Sequence, residues 1–164
     1  MQALVHPNGR LVLREQVYRA ALGRGGVRLD KLEGDGATPV AVLPLRRVLY
    51  RADRVRAPEC AVAVEPIAPD DGWCDDPAER DYNQMIRLPH DGHYEELWRR
   101  DALYDVIGVL GWNDAPVERG RGSAIFLHVA RADYAPTEGC IALALDDLRR
   151  VLAIGVTEVL VVGG

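Results

Sequence analysis

Lysine is nearly missing from this chain: Lys31 is the only one, and apart from four histidines every other basic side chain is arginine. The 20 cations stand against 25 Asp and Glu, a formal net charge of −5. With no basic run or stripe, there is no electrostatic ground for a nucleic-acid partner. Long apolar runs are lacking too. None reaches the roughly 18 residues of a membrane-crossing helix, so no membrane span is expected. The opening stretch, Met1 to Glu15, places His6, Asn8 and Arg10 where a secretory signal needs apolar residues. The expectation is a protein that stays inside, or one whose export signal lies outside this chain. Cysteine is scarce, at three residues, too few for a disulfide scaffold. Their odd number leaves at least one of Cys60, Cys74 and Cys140 unpaired within the chain.

What is present is an ordinary globular composition. Apolar residues make up 48% and charged residues 27% of 164 residues, which fits one domain over 1–164 with a packed core. Ten prolines and sixteen glycines break the chain into short runs, which predicts a mainly β fold, a sandwich or barrel. Leu11–Leu13 and Val17–Leu22 read as a hairpin. Val40–Tyr50 reads as a strand in which Pro44 calls for an edge or a bulge. Asp35-Gly36 marks a tight turn. Arg56–Asp81 reads as irregular, and such stretches inside small domains are usually functional. Tyr94–Arg100 has the composition of a short helix. Leu103–Leu110, Ala124–Ala130, Ile141–Leu145 and Val156–Val162 read as strands. Asp146–Ile154 reads as a helix with acids in its first turn and Gly155 past its end.

Chemistry concentrates in Gly122–Leu143, GSAIFLHVARADYAPTEGCIAL. Alternation along AIFLHVA puts His128 on one face with Ala124, Phe126 and Ala130, and Ile125, Leu127 and Val129 on the other. Twelve residues on, Cys140 follows Gly139, and the loop between is long enough to bring the cysteine beside the histidine strand. A free thiol is mostly protonated at neutral pH, and a nearby imidazole would take its proton to give a thiolate–imidazolium pair. Gly139 allows strained backbone angles and would leave its own N–H uncovered, so that N–H groups beside the cysteine form an oxyanion hole. Both residues also have plain structural readings, a hydrogen-bonded core histidine and a packing cysteine.

The segment resembles the L,D-transpeptidase catalytic-domain (YkuD-like) family. In that family a strand histidine precedes a Ser/Thr-His-Gly-Cys run. Here His128 matches the histidine, and Thr137-Glu138-Gly139-Cys140-Ile141 matches the run, with Glu138 in the place of the family's second histidine and Ala142 in the place of an arginine. LEGDGATP, DGWCDDP, Tyr82-Asn83 and EELWRRDALYDV extend the likeness to roughly residues 20–162, within a subgroup of small members. The resemblance implies a mixed-sheet β-sandwich or barrel with short flanking helices. It implies that Cys140 attacks a peptide carbonyl, forms an acyl-thioester and passes the acyl group to an amine, the substrates being peptidoglycan stem peptides with meso-diaminopimelate or related small peptides. It further implies a histidine oriented by a backbone carbonyl, that of Val129, turn support from Thr137 and Gly139, and a place in the cell envelope.

Substrate contacts are sought in Trp73, Asp75, Asp76 and Asn83, as a wall of aromatic and carboxylate groups for an amine or amidated peptide end. Arg99 is a replacement for the arginine absent at Ala142, since a guanidinium holds a carboxylate bidentately. Cys74, Cys140, His93 and His128 contain metal-ligating types but lack Cys-x-x-Cys spacing, so neither a metal nor another cofactor is expected. Alternatives are an L,D-carboxypeptidase or endopeptidase with water as acceptor, a non-catalytic peptidoglycan-binding module, and a thiol hydrolase acting inside the cell on wall precursors. Nothing in the sequence fixes an oligomeric state.

Overall fold

The short β-branched and leucine-rich runs become fourteen strands and one helix in the computed structural model, which describes all residues from Met1 to Gly164. β1 (Gln2–Val5), β2 (Arg10–Leu13) and β3 (Gln16–Ala21) form an antiparallel meander. Its last two strands are the expected hairpin. β4 (Val27–Arg28) and β5 (Thr38–Pro39) are a short parallel pair, followed by the long β6 (Val42–Tyr50) and by β7 (Val64–Pro66). β8 (Asp71–Cys74), β9 (Met85–Arg87) and β10 (Tyr94–Glu96) make a separate three-stranded sheet. β11 (Val106–Leu110), β12 (Phe126–Val129), β13 (Ile141–Leu143), α1 (Leu145–Ile154) and β14 (Glu158–Val161) complete the chain.

The main sheet is mixed and closes on itself in the order β11-β12-β13-β3-β2-β1-β14-β6, because β6 also pairs with β11. β6 manages both partners by dividing its length. Val42–Pro44 pair with β14, and Leu45–Tyr50 pair with β11. At the change-over the register slips between Val109 and Leu110, so that Arg46 is the extra residue of a bulge two positions after Pro44. A proline cannot donate to a ladder, and a bulge beside it bends the strand round the barrel.

Two cores result. Inside the barrel lie Leu11, Leu43, Val48, Val106, Leu127, Ile141 and Val159, joined by Leu148, Val151 and Leu152 from α1. The second core is outside it. Leu49, Ile107, Val109, Phe126 and Cys140 present the outer face of the same strands to Ile67, Trp73, Leu97 and Tyr104. Double-sided burial explains why Val106–Leu110 and Phe126–Val129 are buried at every position and read as continuous apolar runs. α1 has Asp146 and Asp147 in its first turn, and Gly155 ends it in the left-handed region at φ 103° with its N–H on the Leu152 carbonyl.

Two expectations are corrected. Arg56–Asp81 is not wholly irregular, since it holds both β7 and β8. Tyr94–Arg100 is not a helix: β10 starts it, and the carbonyls of Arg99, Arg100 and Asp101 accept from Arg51 and Arg54 at 2.6, 2.9 and 2.7 Å. Arg51 is buried, and its guanidinium also sits 3.5 Å from the Trp98 ring centroid. Tertiary guanidinium donors thus take carbonyls that helical N–H groups would need. α1 is the one helix flanking the barrel.

Gly23 marks where the 34–38 turn meets the cysteine loop. A Cβ there would stand 2.2 Å from the Gly36 oxygen, 3.0 Å from Gly139 Cα and 3.0 Å from Thr38 N, all backbone atoms. Gly23→Ala should therefore lower stability by about 1–3 kcal/mol, as overpacking does. A urea titration checks this as a lower midpoint at unchanged slope. Gly163→Ala, with open space at its Cβ, should leave the midpoint in place.

Candidate active site

β12 and β13 run parallel, with Leu127 opposite Ile141 and His128 opposite Ala142. Cys140 precedes Ala142 by two residues, which puts it on the same face as His128. Both line one cavity of about 260 Å³. The alternation read from AIFLHVA holds, with Ala124 and Phe126 in the outer core and Ile125, Leu127 and Val129 in the barrel interior.

The histidine is fixed by its own strand. His128 Nδ1 lies 2.9 Å from the Val129 carbonyl oxygen, which can only accept, so Nδ1 carries the proton and Nε2 keeps its lone pair. Tyr104 packs edge-on against the imidazole at 5.3 Å between centroids and against Phe126 at 5.7 Å. The Cys140 thiol donates to the Ala124 carbonyl at 3.2 Å, and its sulfur receives the Phe126 N–H at 3.4 Å.

The turn before the cysteine is clasped by Thr137, whose hydroxyl donates to the Cys140 carbonyl at 2.7 Å and accepts the Gly139 N–H at 3.1 Å. The Gly139 N–H is thus engaged, not uncovered as the sequence implied. Gly139 has φ 134°, and a Cβ there would meet the Ala37 oxygen at 2.8 Å, so both conformation and space call for glycine. Glu138, in the position of the family's second histidine, points outward to Arg24 at 2.8 Å.

Of the residues sought as substrate contacts, Asp75 and Arg99 line the cavity with Cys140 and His128. Arg99 is paired through Nε and Nη2 with both oxygens of Asp101, at 2.8 and 2.7 Å, and lies over the Tyr104 ring. Asp75 contacts His93 Nδ1 at 2.5 Å. Trp73, Asp76 and Asn83 are placed elsewhere. Trp73 is buried against Phe126 at 5.1 Å, and its Nε1–H donates to Asn83 Oδ1. Asn83 also accepts the Ala124 N–H at 3.1 Å and donates to the carbonyls of Trp112 and Asn113. Asn83 and Ala124 are both in the left-handed region, at φ 57° and 52°, a costly conformation that this network holds. Asp76 accepts the N–H groups of Ala78 and His93, closing a turn. The metal-ligating types are committed separately: Cys74 to the Asp76 carbonyl, His93 to Asp75, His128 to Val129 and Cys140 to Ala124.

Sequence reading missed Glu33, Glu95, Tyr104, Ser123 and Arg131, which also line the cavity. Glu33 accepts from Tyr82 and Ser123 at 2.7 and 2.6 Å, and Tyr104 donates to Glu95. No local pattern announces Glu95 and Tyr104, since β10 and the loop after it come to the cavity only through the tertiary fold.

Charge is disfavoured at Cys140 and His128. Burial pushes the Cys140 thiol up to about 12, with the Glu95 carboxylate adding to it. Burial also holds the His128 imidazole down at about 4, against the pull of the Val129 carbonyl. Burial disfavours both charges, so these shifts work against a resting thiolate–imidazolium pair.

The depressed His128 pKa fixes a sign. Between about 4 and 6.5 the unfolded chain binds a proton at this position that the folded one refuses. Stability from this group is complete above pH 6.5 and falls as pH drops toward 4, by about 3 kcal/mol. His128→Asn keeps a donor for the Val129 carbonyl and removes the titration. Urea midpoints of the two proteins should accordingly diverge less at pH 4.5 than at pH 7.

No curated protein matches the chain. The profile of the L,D-transpeptidase catalytic domain matches residues 2–161, which takes in the whole barrel, the small sheet and the cavity. The mixed, closed, mainly β architecture agrees with that match, and the chain belongs to the L,D-transpeptidase catalytic-domain family.

Proposed function

We propose that this protein, as one catalytic domain, forms an acyl-thioester on Cys140 from a peptidoglycan stem peptide and transfers the acyl group to an amine. Family membership supports an enzyme of the peptidoglycan transpeptidase type, whose substrate belongs to the cell envelope. No helix is long and apolar enough to cross a membrane. The observation that carries the finer reading is the Val129 carbonyl, which fixes the His128 tautomer with its free Nε2 on the face shared with Cys140.

The chemistry follows from a neutral pair. As the sulfur attacks the stem-peptide carbonyl, Nε2 takes the thiol proton, so charge develops only in the transition state. The Cys140 N–H, at the end of the turn clasped by Thr137, supports the oxyanion in the role first sought at Gly139. The C–N bond breaks, His128 returns the proton to the leaving amine, and the thioester remains. An incoming amine then attacks it, His128 takes an amine proton, and the C–S bond breaks to restore the thiol. Arg99, whose Nη1 edge is left by Asp101, takes a substrate carboxylate, with Arg131 beside it in the cavity. These two stand in for the arginine absent at Ala142, itself a cavity residue.

Intact-protein mass spectrometry with a meso-diaminopimelate tetrapeptide tests the reading. Wild type should gain one acyl group, mapped to Cys140, and Cys140→Ala none; a carbapenem should leave its adduct on the same sulfur. His128→Asn should slow acylation by about 10²- to 10⁴-fold, the usual contribution of a general base. An adduct on Cys60 or Cys74, or none at all, would refute the assignment. Arg99→Ala should raise KM for the tetrapeptide roughly tenfold, the loss of one charged hydrogen bond. An unchanged KM removes Arg99 from substrate binding.

A further inference from the structure

The cavity holds a carboxylate that the acyl-transfer steps leave without a task. Glu95 sits on β10, the strand laid over the outer face of the barrel, and lines the cavity with Cys140 and His128. Tyr104 donates its hydroxyl to Glu95 Oε1 while its ring packs against the His128 imidazole. One side chain thus spaces the carboxylate from the base, and Oε2 is free to face a ligand. Resting on the acyl-transfer reading, we propose that Glu95, set by Tyr104, binds the acceptor as an ammonium ion and takes the proton that makes it a nucleophile, and so selects an amine over water.

His128, with Nδ1 held by the Val129 carbonyl, has a single nitrogen with which to accept a proton. An alkylamine reaches the site at neutral pH as an ammonium, which has no lone pair. His128 cannot both accept that proton and remain free to accept the second one during attack. Glu95 resolves this. The ammonium loses one proton to the Glu95 carboxylate; the resulting amine forms the C–N bond; His128 takes the second proton and gives it to the departing sulfur. In the first half-reaction the flow reverses: Glu95 begins as the carboxylic acid, the amine departs neutral and takes that proton to leave as an ammonium, and the carboxylate that remains is the form that meets the acceptor. Over a full turnover the Glu95 carboxyl regains its proton and returns to its starting state. Water needs no such step, having a lone pair already.

The surroundings suit the task. Lining the cavity with Glu95 are Tyr104, His128 and Cys140, the acidic Asp75 and Glu33, and the basic Arg99 and Arg131. Burial raises the Glu95 carboxyl above the ordinary carboxylate range, which makes it a better proton acceptor toward an ammonium. Asp75 and Glu33 add negative potential for a cation, but each already holds a protein donor, His93 for the first and Tyr82 with Ser123 for the second.

The test separates the half-reactions. The acyl-enzyme is formed from the tetrapeptide, and its breakdown is followed with water alone, with a tetrapeptide's side-chain ammonium, and with hydroxylamine, which is largely unprotonated at neutral pH. In Glu95→Gln, breakdown by the alkylammonium should fall by about 10²-fold, on the scale of acid–base catalysis, while hydrolysis and hydroxylaminolysis stay near wild type. The deficit should shrink as pH rises and free amine accumulates. Tyr104→Phe, which keeps the ring and loses the donor, should show the same selective deficit at smaller size, and serves if Glu95→Gln does not fold. A uniform fall with all three acceptors, or an unchanged ratio of aminolysis to hydrolysis, overturns the role for Glu95. Absence of any acyl-enzyme on wild-type Cys140 overturns the acyl-transfer reading itself, and this inference with it.

Discussion

A sheet that is buried on both faces leaves a polar side chain nowhere to meet water, and β12 carries a histidine. Everything about the site follows from how that residue is satisfied. The imidazole has two nitrogens; one is spent on the next residue's carbonyl, and the ring lines the cavity that also holds Cys140. Tyr104 closes the remaining flank. The strand's inner face meanwhile contributes Leu127 and Val129 to the barrel core, which prevents any slip of register, since a one-residue shift would drive the histidine into an apolar interior. Folding stability and the aim of the base are therefore set by the same contacts.

The second consequence of the closed environment is that the site stores no charge. Many cysteine nucleophiles are poised as thiolates in electropositive surroundings. Here burial and the Glu95 carboxylate favour the thiol over the thiolate. Such a thiol is dull toward incidental oxidants and alkylators.

How much of this the sequence announced depends on how local the cause was. The β12 alternation, the Gly-Cys turn, α1 with its Gly155 cap and the β2–β3 hairpin were legible because periodicity and turn chemistry are properties of neighbouring residues. Pro44 announced its bulge for the same reason. Tyr94–Arg100 misled because helix composition was overruled by Arg51 and Arg54, more than forty positions earlier. Trp73 and Asn83 were sought as substrate contacts from their polar, irregular neighbourhood. They brace Ala124 behind the cysteine and do not face the cavity. Glu95 and Tyr104 had no local signature, because their meaning comes only from the small sheet lying over the barrel.

The pairing of β1 with β14 carries a different lesson. Gln2 lies opposite Glu158, and the Met1 ammonium donates to the Thr157 hydroxyl at 2.7 Å. The barrel's first strand has no neighbour on that side until its last strand exists. Contacts of such long sequence separation form late and slowly. During synthesis on a ribosome, Cys140 and His128 would emerge before the strand that closes the barrel, with β12, β13 and α1 still waiting for it. The site is therefore assembled only as the barrel closes, and a partly made chain carries its cysteine as an ordinary exposed thiol.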